Sequence, residues 1–255
     1  MSAPLAALGL FGDAIDFLLH ARESRAGGTE VGGPGEFARL TWTHLQVTAA
    51  AVALAAAVAL PLGLVLGHRR RGGFLAVSVS NVGRAVPSLV LIALFVAFLG
   101  VGFLNVTLAL ALLAVPPILT NAYVGVTQVD RDVIDAAVGQ GMTDRQVMAR
   151  IELPLALPLI FGGLRTSVVN VIATATIAPL AGVVTLGDPI LSQGVYGDAG
   201  KLAAAIVVAL LAIVAELGLG AAQRAVTPRP LRGSPGLPRR GRLFPTSPGK
   251  GLSTP

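Results

Sequence analysis

Polar side chains are scarce in this chain, so those that recur at regular spacing stand out. Asn81, Arg84 and Ser88 fall at i, i+3 and i+7, and Thr166, Asn170 and Thr174 at i, i+4 and i+8, each set on one face of a helix. Amide, hydroxyl and guanidinium groups so arranged can line a translocation path. They can equally hydrogen-bond neighbouring helices, with Arg84 and Arg165 snorkelling to an interface. Enzyme chemistry has no comparable signal. The chain has no cysteine, and His20, His44 and His68 are scattered without a second ligand at metal spacing, so each reads as an interfacial side chain. Gly200-Lys201 is not a phosphate-binding loop, because Val195 stands where a glycine is needed and Leu202 where a hydroxyl is needed. Glu216 lies alone on its helix and reads as a helix-end or interface carboxylate rather than a general base. No catalytic residue, metal or cofactor is expected, and a membrane enzyme would need ionisable residues clustered at one depth.

The elements that must position these residues are membrane spans. Apolar residues make up 54% of the sequence and charged residues 13%, and the charges fall between long neutral stretches. The formal charge of +6 is no argument for nucleic acid, since the basic residues flank spans and set orientation. Residues 1–12 lack the basic lead and cleavage pattern of a signal peptide. Residues 1–42 read as an interfacial helix over 8–19 and a loose Gly-rich connector over 26–35, with a disordered tail as the alternative. Five spans follow, each near the roughly twenty residues a bilayer requires. They cover 43–67, 74–99 (interrupted by Pro87), 103–127 (kinked or broken at Pro116-Pro117), 155–184 (begun by Pro158) and 201–222. Residues 185–200 read as a polar connector. The Pro-, Gly-, Ser- and Arg-rich stretch 223–255 cannot bury a core and reads as a disordered basic tail. The sequence therefore predicts an all-α polytopic membrane domain over 43–222.

Between the third and fourth spans lies Asp135–Pro154, DAAVGQGMTDRQVMARIELP, too polar for lipid. The acidic start of 132–138 suits a short helix, which Gly139 and Gly141 break. Thr143 and Gln146 form a capping box that opens a second helix, and Pro154 is expected to close it. Taken alone, these signals fit an ordinary inter-span loop or a docking element whose paired alanines offer a shallow surface. Counting basic residues puts Arg69, Arg70, Arg71, Arg131, Arg145, Arg150 and Arg224 on the loop's side, against Arg22, Arg25, Arg39 and Lys201 on the other. The loop and carboxyl terminus are therefore expected in the cytoplasm and the amino terminus outside.

The spacing of Asp135-Ala136-Ala137, Gly141 and Ile151-Glu152-Leu153-Pro154 resembles the signature loop of permease subunits of binding-protein-dependent ABC importers. Asp135 departs from the family's usual Glu but keeps the charge. The flanks GRAVPSLVLIALF (83–95) and ELPLALPLIFGGLRTSVVNVIATATIAPLAG (152–182) resemble the osmoprotectant branch, and the resemblance covers about Thr43 to Ala222. Gly182-Val183-Val184-Thr185-Leu186-Gly187 is less glycine-rich than that branch and implies a stiffer outer turn. The resemblance implies an ABC importer type I permease fold in a bacterial plasma membrane. It implies that Asp135, Ala136, Ala137, Gly141, Ile151, Leu153 and Pro154 couple to a separate ABC ATPase, with a second permease subunit and an extracytoplasmic substrate-binding protein as further partners. The implied solute is glycine betaine, carnitine, choline or a related quaternary amine; another small solute such as an amino acid or a sulfonate, or a non-transporting scaffold, are the rivals. Spans two, four and five offer few aromatic faces for a quaternary ammonium, which leaves selectivity to the binding protein.

Overall fold

The computed structural model describes residues 3–70, 73, 74, 78 and 86–227. Helix α1 (Ala3–Leu19) leads into two short antiparallel strands, β1 (Ala21–Glu23) and β2 (Glu30–Gly32). Then come α2 (Gly33–His68), α3 (Ser88–Leu99), α4 (Phe103–Thr127), α5 (Arg131–Gly139) and α6 (Asp144–Val147). A π-helical turn (Met148–Glu152) joins α6 to α7 (Leu153–Thr174), which tightens into a 3₁₀ turn (Ala175–Ala181). Helices α8 (Asp188–Leu191) and α9 (Gln193–Val226) complete the described chain. Among the described residues, four helical stretches are long and apolar enough to cross a membrane: Gly33–His68, Phe103–Thr127, Asp144–Ala181 and Gln193–Val226, with Ser88–Leu99 a shorter apolar helix. The first part of the expected second span and the basic tail lie outside the described residues.

The core forms where small residues let helices approach closely. On α2, Val47, Ala51, Ala55 and Ala59 repeat at every fourth position and are buried against Ala109, Leu110, Ala114 and Ile118 of α4, with Val171 of α7 in the same cluster. With lipid as apolar as leucine, close van der Waals packing rather than hydrophobic burial holds such helices together. Two glycines show how close the approach is. A Cβ on Gly63 would lie 2.8 Å from the Leu119 carbonyl oxygen of α4, and one on Gly163 of α7 would lie 2.7 Å from that of Pro117. A second cluster caps the other end of α2, combining Ala14 and Phe17 of α1, Val31 of β2, Phe37 and Leu40 of α2, and Tyr196, Ala203 and Ala204 of α9.

Several expectations give way to packing. The Gly-rich connector is not loose: its hairpin docks on the start of α9, where the Val195 carbonyl accepts from the Arg25 amide (3.1 Å) and the Ser24 hydroxyl (3.3 Å). Pro116 and Pro117 do not break α4, whose flanking residues Ala114, Ile118 and Leu119 are packed into the buried cluster. Pro158 lies inside α7 rather than at its start, and the fourth span ends in the 3₁₀ turn, which Gly182 terminates in a left-handed conformation (φ 76°). The polar connector is folded back into the protein, with Thr185 and Leu186 fully buried and the Thr185 hydroxyl donating to the Ala175 carbonyl at 2.9 Å.

Candidate functional site

The polar residues of α7 are brought together with one end of α3. Ser88, Thr166, Asn170 and Thr174 line a single cavity of about 590 Å³, closed on its third side by Leu113, Pro116 and Pro117 of α4. Asn81 and Arg84 lie outside the described residues. The two threonine hydroxyls do not reach neighbouring helices: Thr166 donates to the Gly162 carbonyl at 3.0 Å and Thr174 to that of Asn170 at 2.8 Å, both on α7 itself. Their donors are thus used, which leaves lone pairs and methyl groups for the cavity. Pro116 and Pro117 add acceptors, since their missing N–H groups leave the carbonyls of Leu112 and Leu113 without the usual helical partner. Leu113 is itself in the wall. The α4 prolines thus bear on the cavity as well as on the shape of the helix.

At the water-facing end, the sequence builds the loop by local rules. Asp130 caps α5 by accepting from the Asp132 amide at 3.0 Å. The helix ends in a Schellman motif: the Gly141 amide bonds the Val138 carbonyl at 2.9 Å and the Met142 amide bonds that of Ala137 at 3.2 Å. This geometry requires the residue after the cap to be left-handed, and Gly141 has φ 84°. Gly139, by contrast, belongs to α5. The capping box at Thr143 forms as expected, with its amide 2.8 Å from Gln146 Oε1.

Pro154 does not close the second helix. A proline ring collides with the carbonyl four residues earlier, and the chain resolves this by widening the preceding turn, so that the Leu153 amide bonds the Met148 carbonyl five residues back. Pro154 then sits in the first turn of α7, where its missing N–H costs little. The helical run is unbroken from Asp144 to Ala181. Asp135 and Ala136 are exposed, Ala137 is buried, and Ile151, Leu153 and Pro154 are half-buried. Ala136, Ala137 and Ile151 share a notch of about 410 Å³ with Asp132, Val133, Gln140 and Met142. Val133 and Val138, 43% and 52% exposed, give a water-facing helix more apolar surface than its solvation favours.

The titratable side chains depart most from expectation. His44 is fully buried rather than interfacial, with Nε2 donating to the Ile172 carbonyl at 2.9 Å and Nδ1 unpartnered. Glu216 is not alone: its carboxylate meets Arg165 Nε at 3.0 Å, tying α9 to α7. His68 Nδ1 donates to Glu152 Oε2 at 2.6 Å, and Glu152 is only 2% exposed. These pairs join residues far apart in sequence, and no local spacing announces them. Among the described residues, no group of three His, Cys, Asp or Glu could hold a metal ion.

Comparison with known proteins supplies the remaining information. A family model described as the binding-protein-dependent transport system inner membrane component matches residues 59–232. The carnitine transport permease protein OpuCB of Listeria monocytogenes is 39% identical over 193 residues, covering 75% of this chain and 88% of that protein. The choline transport system permease protein OpuBB of Bacillus subtilis (strain 168) is 36% identical over 195 residues, covering 76% and 90%. Among solved structures, an inward-facing MetNI methionine ABC transporter aligns with a TM-score of 0.66 at 21% identity, covering 75% of this chain and 96% of that one. That likeness concerns the fold.

Proposed function

Because this chain belongs to the family of binding-protein-dependent transport system inner membrane components, it is a membrane permease, and we propose that it carries an osmoprotectant such as carnitine, choline or glycine betaine. The relatives named for carnitine and choline support this solute class. The cavity between α3, α4 and α7 serves as part of the path, with Asn81, Arg84, Ser88, Thr166, Asn170 and Thr174 along it. Among the described residues its wall offers carbonyl and hydroxyl lone pairs and no carboxylate, which suits transient passage of a small cation or zwitterion better than tight capture. Recognition is left to an extracytoplasmic binding protein, and ATP hydrolysis to a separate subunit docked on the loop.

The observation that carries this reading is the continuity of one helical run. The loop residues Asp144–Val147 and the cavity residues Thr166, Asn170 and Thr174 belong to the same rod. Movement imposed by an ATPase on the loop is therefore delivered to the path wall, with Asp135, Ala136, Ala137, Gly141, Ile151, Leu153 and Pro154 forming or shaping the docking surface. The loop and carboxyl terminus face the cytoplasm, the amino terminus faces out, and a second permease subunit completes the path.

Uptake of labelled choline, carnitine and glycine betaine by cells expressing this permease with its ATPase and binding protein tests the assignment. Saturable uptake that the three solutes mutually compete for supports it. Uptake blocked instead by an amino acid or a sulfonate, and indifferent to all three, overturns the solute class.

A further inference from the structure

The end of α2 holds both stems of the loop. Where the chain enters it, Arg70 donates from its guanidinium to the Val129 carbonyl at 2.8 Å. Where the chain leaves it, Glu152 receives the His68 hydrogen bond. Arg70 also has a left-handed backbone (φ 48°), among the described residues the sole non-glycine to do so. That conformation costs roughly 1–2 kcal/mol for an L-residue and persists only where surrounding contacts enforce it. Glu152 is the more telling partner. A carboxylate nearly sealed from water is costly unless hydrogen-bonded, and His68 lies on a different element, 84 residues away. Glu152 also sits at the last position of the π turn, which lies between the loop helix α6 and the cavity-lining stretch of α7 and is where that rod would otherwise flex.

We propose that His68 and Glu152 are positioning residues that lock the π turn to the end of α2, so that a displacement of the loop moves α2, α4 and α7 together instead of being absorbed at the turn. The close approaches at Gly63 and Gly163 already bind α2 to α4 and α4 to α7. Residue Glu152 ties the loop's exit to the same body. Arg70 does so for its entrance. The lever is long: at ~1.5 Å per helical residue, Thr166 lies about 21 Å and Thr174 about 33 Å along the rod from Glu152. A few degrees of bending at an unpinned turn would cancel the motion at the cavity wall. This inference rests on the reading of the loop as the ATPase dock, and adds which internal contact makes the dock effective.

The test uses the assembled transporter in proteoliposomes, reading solute uptake, ATP hydrolysis and ATPase co-purification side by side. Glu152→Ala is expected to keep the ATPase bound and hydrolysing while solute moved per ATP falls about tenfold, the scale of a typical coupling free energy between sites. Glu152→Gln keeps an acceptor oxygen for His68 and is expected to restore most of that ratio. His68→Ala should match Glu152→Ala, and the double variant should be no worse than either. Unaltered transport per ATP in both single variants, strictly additive losses, or failure of Glu152→Gln to rescue a loss overturns the proposal. Should Glu152→Ala not assemble, the partly exposed His68→Ala carries the same comparison. Failure of the ATPase to co-purify with the unaltered chain would instead sink the docking reading.

Discussion

Gly141 shows how one residue can be fixed by backbone geometry alone. A Cβ placed there meets nothing within 4 Å, so space is not the constraint; the left-handed φ of the Schellman motif is. Substitution by Val should therefore cost on the order of 1–2 kcal/mol of local bend stability. Asn, which tolerates that region, should cost less. If docking on the loop drives transport, uptake should fall in the order Gly, Asn, Val while membrane insertion stays constant; equal uptake in all three would detach the bend from coupling. The Arg165–Glu216 pair makes a different point. Both side chains are partly exposed on membrane-crossing helices, where an unpaired charge is costly. Glu216→Ala is expected to lower the thermal unfolding midpoint more than Arg165→Ala/Glu216→Ala, because the single change strands the guanidinium. The reverse order would assign the pair no stabilising role.

At the scale of elements, adjacent glycines in α7 have opposite roles that hydropathy does not separate. Gly163 abuts α4, where even a methyl group would sit 2.7 Å from Asn121 Cβ, whereas a Cβ on Gly162 has nothing within 4 Å. Gly163→Ala should destabilise by about 1–3 kcal/mol through overpacking. Gly162→Ala should be neutral or stabilising by up to about 1 kcal/mol through helix propensity. Chemical denaturation in detergent distinguishes them, and equal effects would contradict the close α4–α7 contact. The same contrast marks what was legible in the sequence. The bounds 103–127 of the third span match α4, and the α5 start and the Thr143 capping box were readable because they depend on neighbours in the chain. Pro154 and Pro158 are where local sterics mislead: they are expected to delimit helices, but a widened turn before α7 accommodates the first and the second lies inside α7, while Pro116 and Pro117 leave α4 unbroken. The buried His44 and the pairs His68–Glu152 and Arg165–Glu216 are products of tertiary contact, and a single sequence carries no local trace of them.

Across the whole molecule, α2 relates two ends that serve different purposes. Its 36 residues span about 54 Å, well beyond the ~30 Å hydrocarbon core, long enough for both ends to reach water. At one end Phe37 and Leu40 join the cluster around Phe17 and Tyr196, with the Phe17 and Phe37 rings edge-on at 6.2 Å. At the other, His68 and Arg70 hold the loop. If the amino-terminal segment packs as a cap and not as a loose tail, removing residues 1–32 should lower the unfolding midpoint by exposing that cluster. The sidedness proposed above rests on the basic residues, which concentrate at the loop end, and the chain is well suited to a direct measurement because it has no cysteine to remove. A thiol introduced at the exposed Asp135 should react with a membrane-impermeant maleimide only in inside-out vesicles, and one at the exposed Glu23 only in intact cells. Labelling of Asp135→Cys from outside would place the loop away from any cytoplasmic ATPase. The continuous rod from Asp144 to Ala181 would then need another source of force.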